Sequence, residues 1–411
     1  MADRFDVVVL GGGIGGAALA TVLARAGVSV LVLEKSTVFR DHVRGEWIAP
    51  WGVAELKQLG LYDEVRAGGG HHLARHWFCD EDVPPDEAMA MAVDLTTIVP
   101  EIPGPLCIGH PALCQLFIEL AAKSGATVRR GVGDATITAG TSPAVHYRLE
   151  GVEHQETARL IVGADGRGSQ VRRQLGIELQ SDPTHHLFAG MLIEGAHGWP
   201  SDTEAIGTEG DVHYLAFPQG GGRVRLYLGY SVKQSRRLAG VNGPRAFLDA
   251  FRLQSLPGSE SLASAEPAGP CNSYPNQDSW TDQPYRAGVV LIGDAAGSND
   301  QIIGQGLSIT LRDVRLIRDV LLAEPEWTAA MFEPYARERS ERMRRLRFTA
   351  SLASVLNSEF DAQARARRQR ARERQMQDPT LMSALLAAFL GPENAPPEAF
   401  EESTRQRLFG A

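Results

Sequence analysis

The sequence predicts an α/β protein: a Rossmann-like parallel-sheet unit interleaved with a second, sheet-rich domain and followed by a helical C-terminal region. Three observations predict it. A glycine cluster near the N-terminus stands between an apolar run and a helical pattern. Two further Gly/Asp motifs, far downstream, again end short apolar runs. Between those two, residues 181–285 change to alternating apolar and polar positions, the pattern of antiparallel strands.

Each element follows from local pattern. Phe5 to Leu10 is the short apolar run expected of a parallel strand buried on both faces. Ala17 to Ala26 has helical periodicity, and a second apolar run, Ser29 to Leu33, completes a βαβ unit. Ala54 to Leu61 reads as a short helix, His110 to Ser124 as an amphipathic one, and Thr127 to Arg130 as a strand. Leu160 to Ala164 is an apolar strand stopped by Asp165-Gly166. Asp211 to Phe217 and Arg223 to Tyr230 flank Gly220-Gly221-Gly222 as a β-hairpin. Gly288 to Ile292 returns to a buried strand and leads into a helix from about Leu307. From Glu324 onward the chain reads as helical and rich in arginine. The dinucleotide-binding unit is thus expected from residues 1–75, 105–180 and 286–323, with an excursion toward the substrate side at 76–104. The sheet domain is 181–285 and the helical region 324–411.

Composition narrows the function. Across 411 residues the hydrophobic fraction is 43% and the charged fraction 22%, ordinary for a globular chain. A net charge of -9 argues against a nucleic-acid binder, which carries a basic face. No uninterrupted apolar run of about 18 residues occurs, so no membrane span is expected. Acidic Asp3 and Asp6 stand where a secretory leader needs positive charge. Cys79, Cys107, Cys114 and Cys271 show no C-x-x-C spacing and are read as reduced thiols near a core, as in a cytoplasmic protein. No metal-ligand spacing, Ser-His-Asp set or phosphate P-loop is present. The six arginines of Arg365 to Arg374 are read as a solvated helix face.

Gly11-Gly12-Gly13-Ile14-Gly15-Gly16 fits the G-x-G-x-x-G fingerprint in its required setting, after a strand and before a helix. Gly11 permits the tight turn, Gly13 the approach of a pyrophosphate, and Gly16 close helix–strand packing. The helix N-terminus offers unpaired N–H groups to the phosphates. Glu34, followed by Lys35, ends the second strand, where a carboxylate accepts from ribose hydroxyls; a Glu there favours FAD or NAD over NADP. Two later motifs extend the reading. Gly163-Ala164-Asp165-Gly166, with Ser169 and Arg172, ends one strand. Gly293-Asp294-Ala295-Ala296 ends another, before Gly304-Gln305-Gly306 at a helix start.

With these three in order, residues Asp6 to Val320 resemble the single-component flavoprotein monooxygenases of the p-hydroxybenzoate hydroxylase fold. The resemblance implies FAD, held without a covalent link, with its ADP half on Gly11, Gly13, Ile14, Gly15, Gly16, Glu34 and Lys35. It further implies that Asp165 and Gly166 serve both FAD and NAD(P)H, and that Asp294 takes the ribityl chain. Gly304, Gly306, Leu307 and Ser308 then approach the isoalloxazine, and Arg44 with Gly45 lies near the pyrophosphate. His110 falls where the family has an Arg or Gln that contacts FAD; composition alone makes it an idle helix-start residue.

The implied activity is NAD(P)H- and O₂-dependent hydroxylation or epoxidation of an apolar, aromatic or polycyclic small molecule through a flavin C4a-hydroperoxide. The alternative is a reductase or dehydrogenase of the same fold that inserts no oxygen. Two positions depart from the family: Gly297 replaces a His, and Gln301 replaces a Pro beside the expected ring, which makes Gln301 the one catalytic candidate. The Trp-x-Trp-x-Ile-Pro signature of flavin halogenases is missing, since Trp47 and Trp51 are spaced differently. His71, His72, His76, His185, His186 and His213 are candidates for proton handling, with surface or satisfied histidines as the plainer reading. Trp51, Phe217 and Trp280 are candidates for an apolar pocket, with core packing as theirs.

Overall fold

In the computed structural model, which describes residues 4–410, the N-terminal pattern forms β1 (Arg4–Leu10), α1 (Ile14–Arg25) and β2 (Val30–Glu34). Every residue of β2 is buried, as a strand covered on both faces requires. Helix α2 (Pro50–Gln58) starts four residues before the pattern predicted, because Pro50 supplies a preset φ in its first turn. The chain then leaves this layer through β3 (Arg75–Asp80) and returns with α3 (His110–Lys123) and β4 (Thr127–Arg130).

The predicted strand at Leu160 is the end of a longer element. β5 (Ala144–Leu149) pairs antiparallel with the first half of β6 (Val152–Gly163), whose second half runs parallel to β1. Only that second half is apolar enough to be legible as a buried strand.

The sheet-rich segment forms β7 (His186–Glu194), β8 (Thr203–Glu209), β9 (Val212–Gly220), β10 (Arg223–Ser231) and β11 (Asn272–Asn276). The chain rejoins the first layer with β12 (Val289–Leu291) and α4 (Gly306–Ala323). It ends in a helical region that includes α5 (Glu333–Asn357), α6 (Ala364–Gln377) and α7 (Ser383–Leu390).

Two large sheets result. The first runs β12-β6-β1-β2-β4 with every one of those neighbours parallel. Its core packs Val7, Val9, Val32 and Val162 against Leu19 and Leu23 of α1, Phe117 of α3 and Val314 of α4. The second runs β7-β10-β9-β8-β3, antiparallel except where β3 joins β8 in parallel; β11 adds to β7. It therefore recruits the 76–104 excursion as well as the 181–285 segment.

The arginine run of α6 is a solvated face only in part: Arg365 and Arg370 are exposed, but the helix also docks. Arg368 is 6% exposed and pairs with Asp80 and Glu81, Arg365 pairs with Asp82, and Arg372 lies 3.0 Å from Asp80. Arg367 turns the other way, to Glu359. The acidic corner after β3 is what the helix docks on, and charge composition alone carries no information about that partner. No helix among the described residues is long and apolar enough to cross a membrane.

Candidate active site

A cavity of about 1280 Å³ lies between the carboxyl ends of the parallel strands, the inner face of the second sheet and the C-terminal helices. Its walls combine two chemistries. One end is built of glycine loops, carboxylates and helix N-termini. The other is almost wholly apolar.

At the polar end, Gly11, Gly13, Ile14 and Gly15 line the cavity with Glu34 and Lys35. Gly11 has φ 102 and runs against the Asp165 backbone, so the turn requires glycine. Gly16 is off the cavity wall: a Cβ there would overlap the Gly11 carbonyl, so it serves helix–strand packing. A Cβ on Gly13 meets nothing, and α1 has no side-chain cap, leaving its first N–H groups open toward the cavity. Glu34 accepts from the Gly12 N–H at 2.6 Å and the Ser36 N–H at 2.6 Å. This carboxylate thus fixes the glycine loop as well as marking the strand end.

The two later motifs are presented differently. Asp165 and Gly166 line the cavity, yet both oxygens of Asp165 are engaged: Ser169 Oγ donates to one at 2.5 Å, and the N–H groups of Gln170 and Val171 to the other. Asp165 is therefore an anchor for the helix Gln170–Gln174. Asp294 is freer. One oxygen accepts from Arg167 Nε at 3.2 Å, and a third of the side chain is exposed.

The turn that carries Asp294 is held from beneath. Asp313 of α4 accepts from the Gly293 N–H at 2.8 Å, and the buried Arg339 of α5 donates to the carbonyls of Gly293, Ala296 and Gly297. Arg339 and Arg342 keep the Asp313 carboxyl below its usual range despite complete burial. Gly297 has φ 111, and a Cβ there would lie 2.7 Å from Trp280 Cα. A histidine cannot occupy this backbone.

In the middle of the cavity, Arg44, Gly45, His110, Gly304, Gly306 and Leu307 line the wall. Burial, reinforced by Arg44, pushes His110 down to about 4, so its imidazole is neutral. Ser308 is corrected off the wall: it is fully buried and its Oγ accepts from the Ala49 N–H at 3.2 Å, joining α4 to α2. Ser308 stands two residues past the helix start at Gly306, so about 200° of helical rotation turns it away from the cavity. Gln301 does face the cavity; its amide accepts from Arg167 Nη1 at 2.9 Å and donates to Tyr274 OH at 3.2 Å.

The apolar end is formed by Trp47, Phe188, Leu215, Phe217, Ile303 and Phe389, with the phenols of Tyr227 and Tyr274 among them. Burial raises both phenols well above their usual range, so they are neutral donors. Two polar networks hold this wall. Arg225 of β10 binds Glu46 and Asp41, with Gln219 donating to Glu46 at 2.7 Å, which ties the Arg44 loop to the second sheet. Glu204 accepts from Trp47 Nε1 at 2.6 Å and meets His76 Nδ1 at 2.6 Å.

Residues 4–350 match the family model described as FAD binding domain. The chain belongs to that family. Among curated relatives it is similar to squalene epoxidase 2, mitochondrial, of Arabidopsis thaliana (25% identical over 322 residues, 77% of this chain and 54% of the relative). It is similar also to digeranylgeranylglycerophospholipid reductase 1 of Methanococcoides burtonii (28% identical over 325 residues, 75% of this chain and 72% of the relative). The chain spans little more than half the length of the plant relative. Its fold is that of p-nitrophenol 4-monooxygenase PnpA from Pseudomonas putida DLL-E4 (TM-score 0.79, 20% identity, 96% of this chain and 99% of that one).

The polar end fits the dinucleotide that defines the FAD-binding family. The open cradle over Gly13, the two uncapped helix N-termini of α1 and α4, and Asp294 facing the cavity match two phosphates and a polyol chain. Of the other sequence candidates, Phe217 lines the cavity, whereas Trp51 donates to Gln305 at 2.8 Å and Trp280 stacks on Arg347. His76, His186 and His213 are fully buried, His71 and His72 are half-buried, and His185 is exposed. Sequence reasoning missed Arg167, Tyr227, Tyr274 and Phe389. Arg167 had a readable position inside the Asp165–Ser169 motif; the other three carry no local pattern.

Proposed function

We propose that this chain is an FAD-dependent monooxygenase that uses NAD(P)H and O₂ to hydroxylate or epoxidise an apolar, aromatic or polycyclic small molecule. The observation that carries the reading is the continuity of the cavity: a dinucleotide cradle opens directly into an apolar chamber. The apolar chemistry suggested by the squalene epoxidase relative agrees with that chamber. In this reading residues 1–75, 105–180 and 286–323 form the cofactor side, and 76–104 with 181–285 the substrate side.

Bound FAD supplies hydride acceptance from NAD(P)H and activation of O₂. The chain's residues bind, orient and exclude water. Gly13 and the N-terminus of α1 would take the pyrophosphate side, Glu34 the ribose, Asp294 the polyol, and Gly304, Gly306 and Leu307 at the start of α4 the isoalloxazine. Phe188, Leu215, Phe217 and Phe389 exclude water around the substrate. Tyr227 and Tyr274 offer phenol donors to a polar atom of it, and Gln301 fixes Tyr274 relative to Arg167.

A second reading, a reductase that inserts no oxygen, is favoured by the archaeal relative. The test is NAD(P)H oxidation by the purified yellow protein across a panel of apolar compounds. A product one oxygen heavier is expected. Reduced product formed equally well without O₂ would select the reductase.

A further inference from the structure

A line of titratable groups runs from behind the cavity wall to the surface and has no part in holding the cofactor or the substrate. Asp300 directly precedes Gln301 in the loop that borders the cavity; it is 5% exposed, and its Oδ1 accepts from the Ile302 N–H at 2.9 Å. The loop is pinned, since Asp278 accepts from Asn299 Nδ2 at 2.6 Å and from the Asp300 N–H at 2.9 Å. Asp300 Oδ1 lies 3.6 Å from Nε2 of the fully buried His186. His186 Nδ1 meets His185 Nδ1 at 3.2 Å, and His185 Nε2 lies 3.6 Å from Glu359 Oε1. The last two side chains are 39% and 30% exposed, so the line runs from the cavity loop to solvent.

The contact between two Nδ1 atoms is informative. It is attractive only when one nitrogen carries a proton and the other does not, so the pair shares one proton along the line. Asn276 is placed to serve either tautomer of His186. Its Nδ2 donates to a bare Nε2 at 3.1 Å, and its buried Oδ1 has no partner among the described residues. A half-turn of the amide brings that oxygen to a protonated Nε2.

We propose that Glu359, His185 and His186 relay a proton from the surface to Asp300, and that this relay supplies the one proton that oxygenation consumes. The proposal rests on the monooxygenase reading, whose balance is RH + O₂ + NAD(P)H + H⁺ → ROH + H₂O + NAD(P)⁺. The Glu359 carboxyl proton passes to His185 Nε2, the His185 Nδ1 proton to His186 Nδ1, and the His186 Nε2 proton to Asp300 Oδ1. One proton moves inward to Asp300, which stands directly behind the cavity wall formed by Asn299 and Gln301, and no electrons move. The two 3.6 Å steps close by roughly half an ångström to reach hydrogen-bond length.

Burial pushes Asp300 up to about 7, with Asp278 adding to the shift while the Ile302 N–H, His185 and Arg167 oppose it. Burial pushes His186 down to about 3, and His185 and His213 face it with the same sense. An acceptor that exchanges near neutrality, reached through a ring that stores no charge, suits transfer. Arg367 faces Glu359 from α6, and Asp182 and Arg347 face Asp278.

The test uses the full chain with FAD. In His185→Ala the oxygenation step should slow by about 100-fold, the lower range for positioned proton transfer, with FAD affinity unchanged. Added imidazole should restore the rate, which it cannot do for a merely structural defect. His186→Gln should slow the same step and flatten its pH profile. Ring-nitrogen NMR of the protein without turnover should show His186 shifting in Asp300→Asn. Wild-type rates in both histidine variants, a loss that imidazole leaves untouched, or unmoved His186 nitrogens would each overturn the relay. A holoenzyme that never oxygenates anything would remove the delivery role through the functional reading; in that case the NMR coupling between Asp300 and His186 still persists, which separates the two failures.

Discussion

Substituting alanine at three glycines of one loop separates folding from cofactor binding. At Gly16 a Cβ would overlap the Gly11 carbonyl and lie 2.9 Å from Val9 Cγ1, so α1 must move off β1. Overpacking of this kind costs about 1–3 kcal/mol or more. At Gly11 the new residue would hold φ 102 and sit 2.9 Å from Asp165 Cα. Backbone strain there adds about 1–3 kcal/mol to the clash. Gly13 is the opposite case. Its φ of -70 suits alanine, and its Cβ meets nothing within 4 Å. Gly13→Ala should therefore leave the FAD-free protein as stable as wild type, or slightly more so.

The same Cβ projects where a pyrophosphate has to approach. Loss of one charge-assisted hydrogen bond, about 1.5–3 kcal/mol, means a roughly 10- to 150-fold loss of FAD affinity. The assay is thermal unfolding of each FAD-free variant, followed by FAD titration monitored by flavin fluorescence. Wild-type affinity in Gly13→Ala would remove the phosphate from this loop. Destabilisation of Gly13→Ala equal to that of Gly16→Ala would refute the packing argument itself.

Glu34→Ala should weaken FAD binding and also lower the melting temperature of the FAD-free chain, because the Gly12 and Ser36 N–H groups lose their acceptor. Asp294→Ala, by contrast, should weaken FAD binding and leave that melting temperature in place, since its turn is held by Asp313 and Arg339. Gln301→Pro should fold, because Gln301 opens a short turn and Asp300 has ψ 131, the backbone that precedes proline. It should nevertheless change the ratio of H₂O₂ released to NAD(P)H consumed, by freeing Arg167 and Tyr274 from the amide. Asp300, held up to about 7, contributes stability that is full below about pH 4 and is lost as pH rises toward 7. The slope is at most about 1.4 kcal/mol per pH unit, and melting curves across that range should be flatter in Asp300→Asn.

Much of the fold was legible because its information is local. The glycine cluster lies between two runs of different periodicity, and Glu34 ends the second strand, so both the βαβ unit and the carboxylate at its end follow from short windows. The hairpin of β9 and β10 was readable for the same reason. The Asp-Gly motif lies on the cavity wall, and Asp165 has a second role that its sequence did not announce, accepting from Ser169 and two backbone N–H groups. What was not legible depends on contacts between distant residues. Arg225 and Glu46 are 179 residues apart, and nothing in either neighbourhood announces the pair. The C-terminal arginines look like surface charge until the acidic corner at Asp80 to Asp82 is brought against them. Phe389 closes the apolar chamber from a helix whose sequence is apolar throughout, so no face could be assigned to it.

In the proposed reaction, oxygen activated in this cavity enters the substrate. The most direct measurement supplies ¹⁸O₂ to the FAD-loaded protein with NAD(P)H and a compound that it turns over, and reads the product by mass spectrometry. One ¹⁸O is expected in the product, drawn from O₂ and not from water, with one NAD(P)H consumed for each oxygen inserted in a fully coupled reaction and more where H₂O₂ is released. Product that carries no label, or that forms at the same rate under nitrogen, would contradict it.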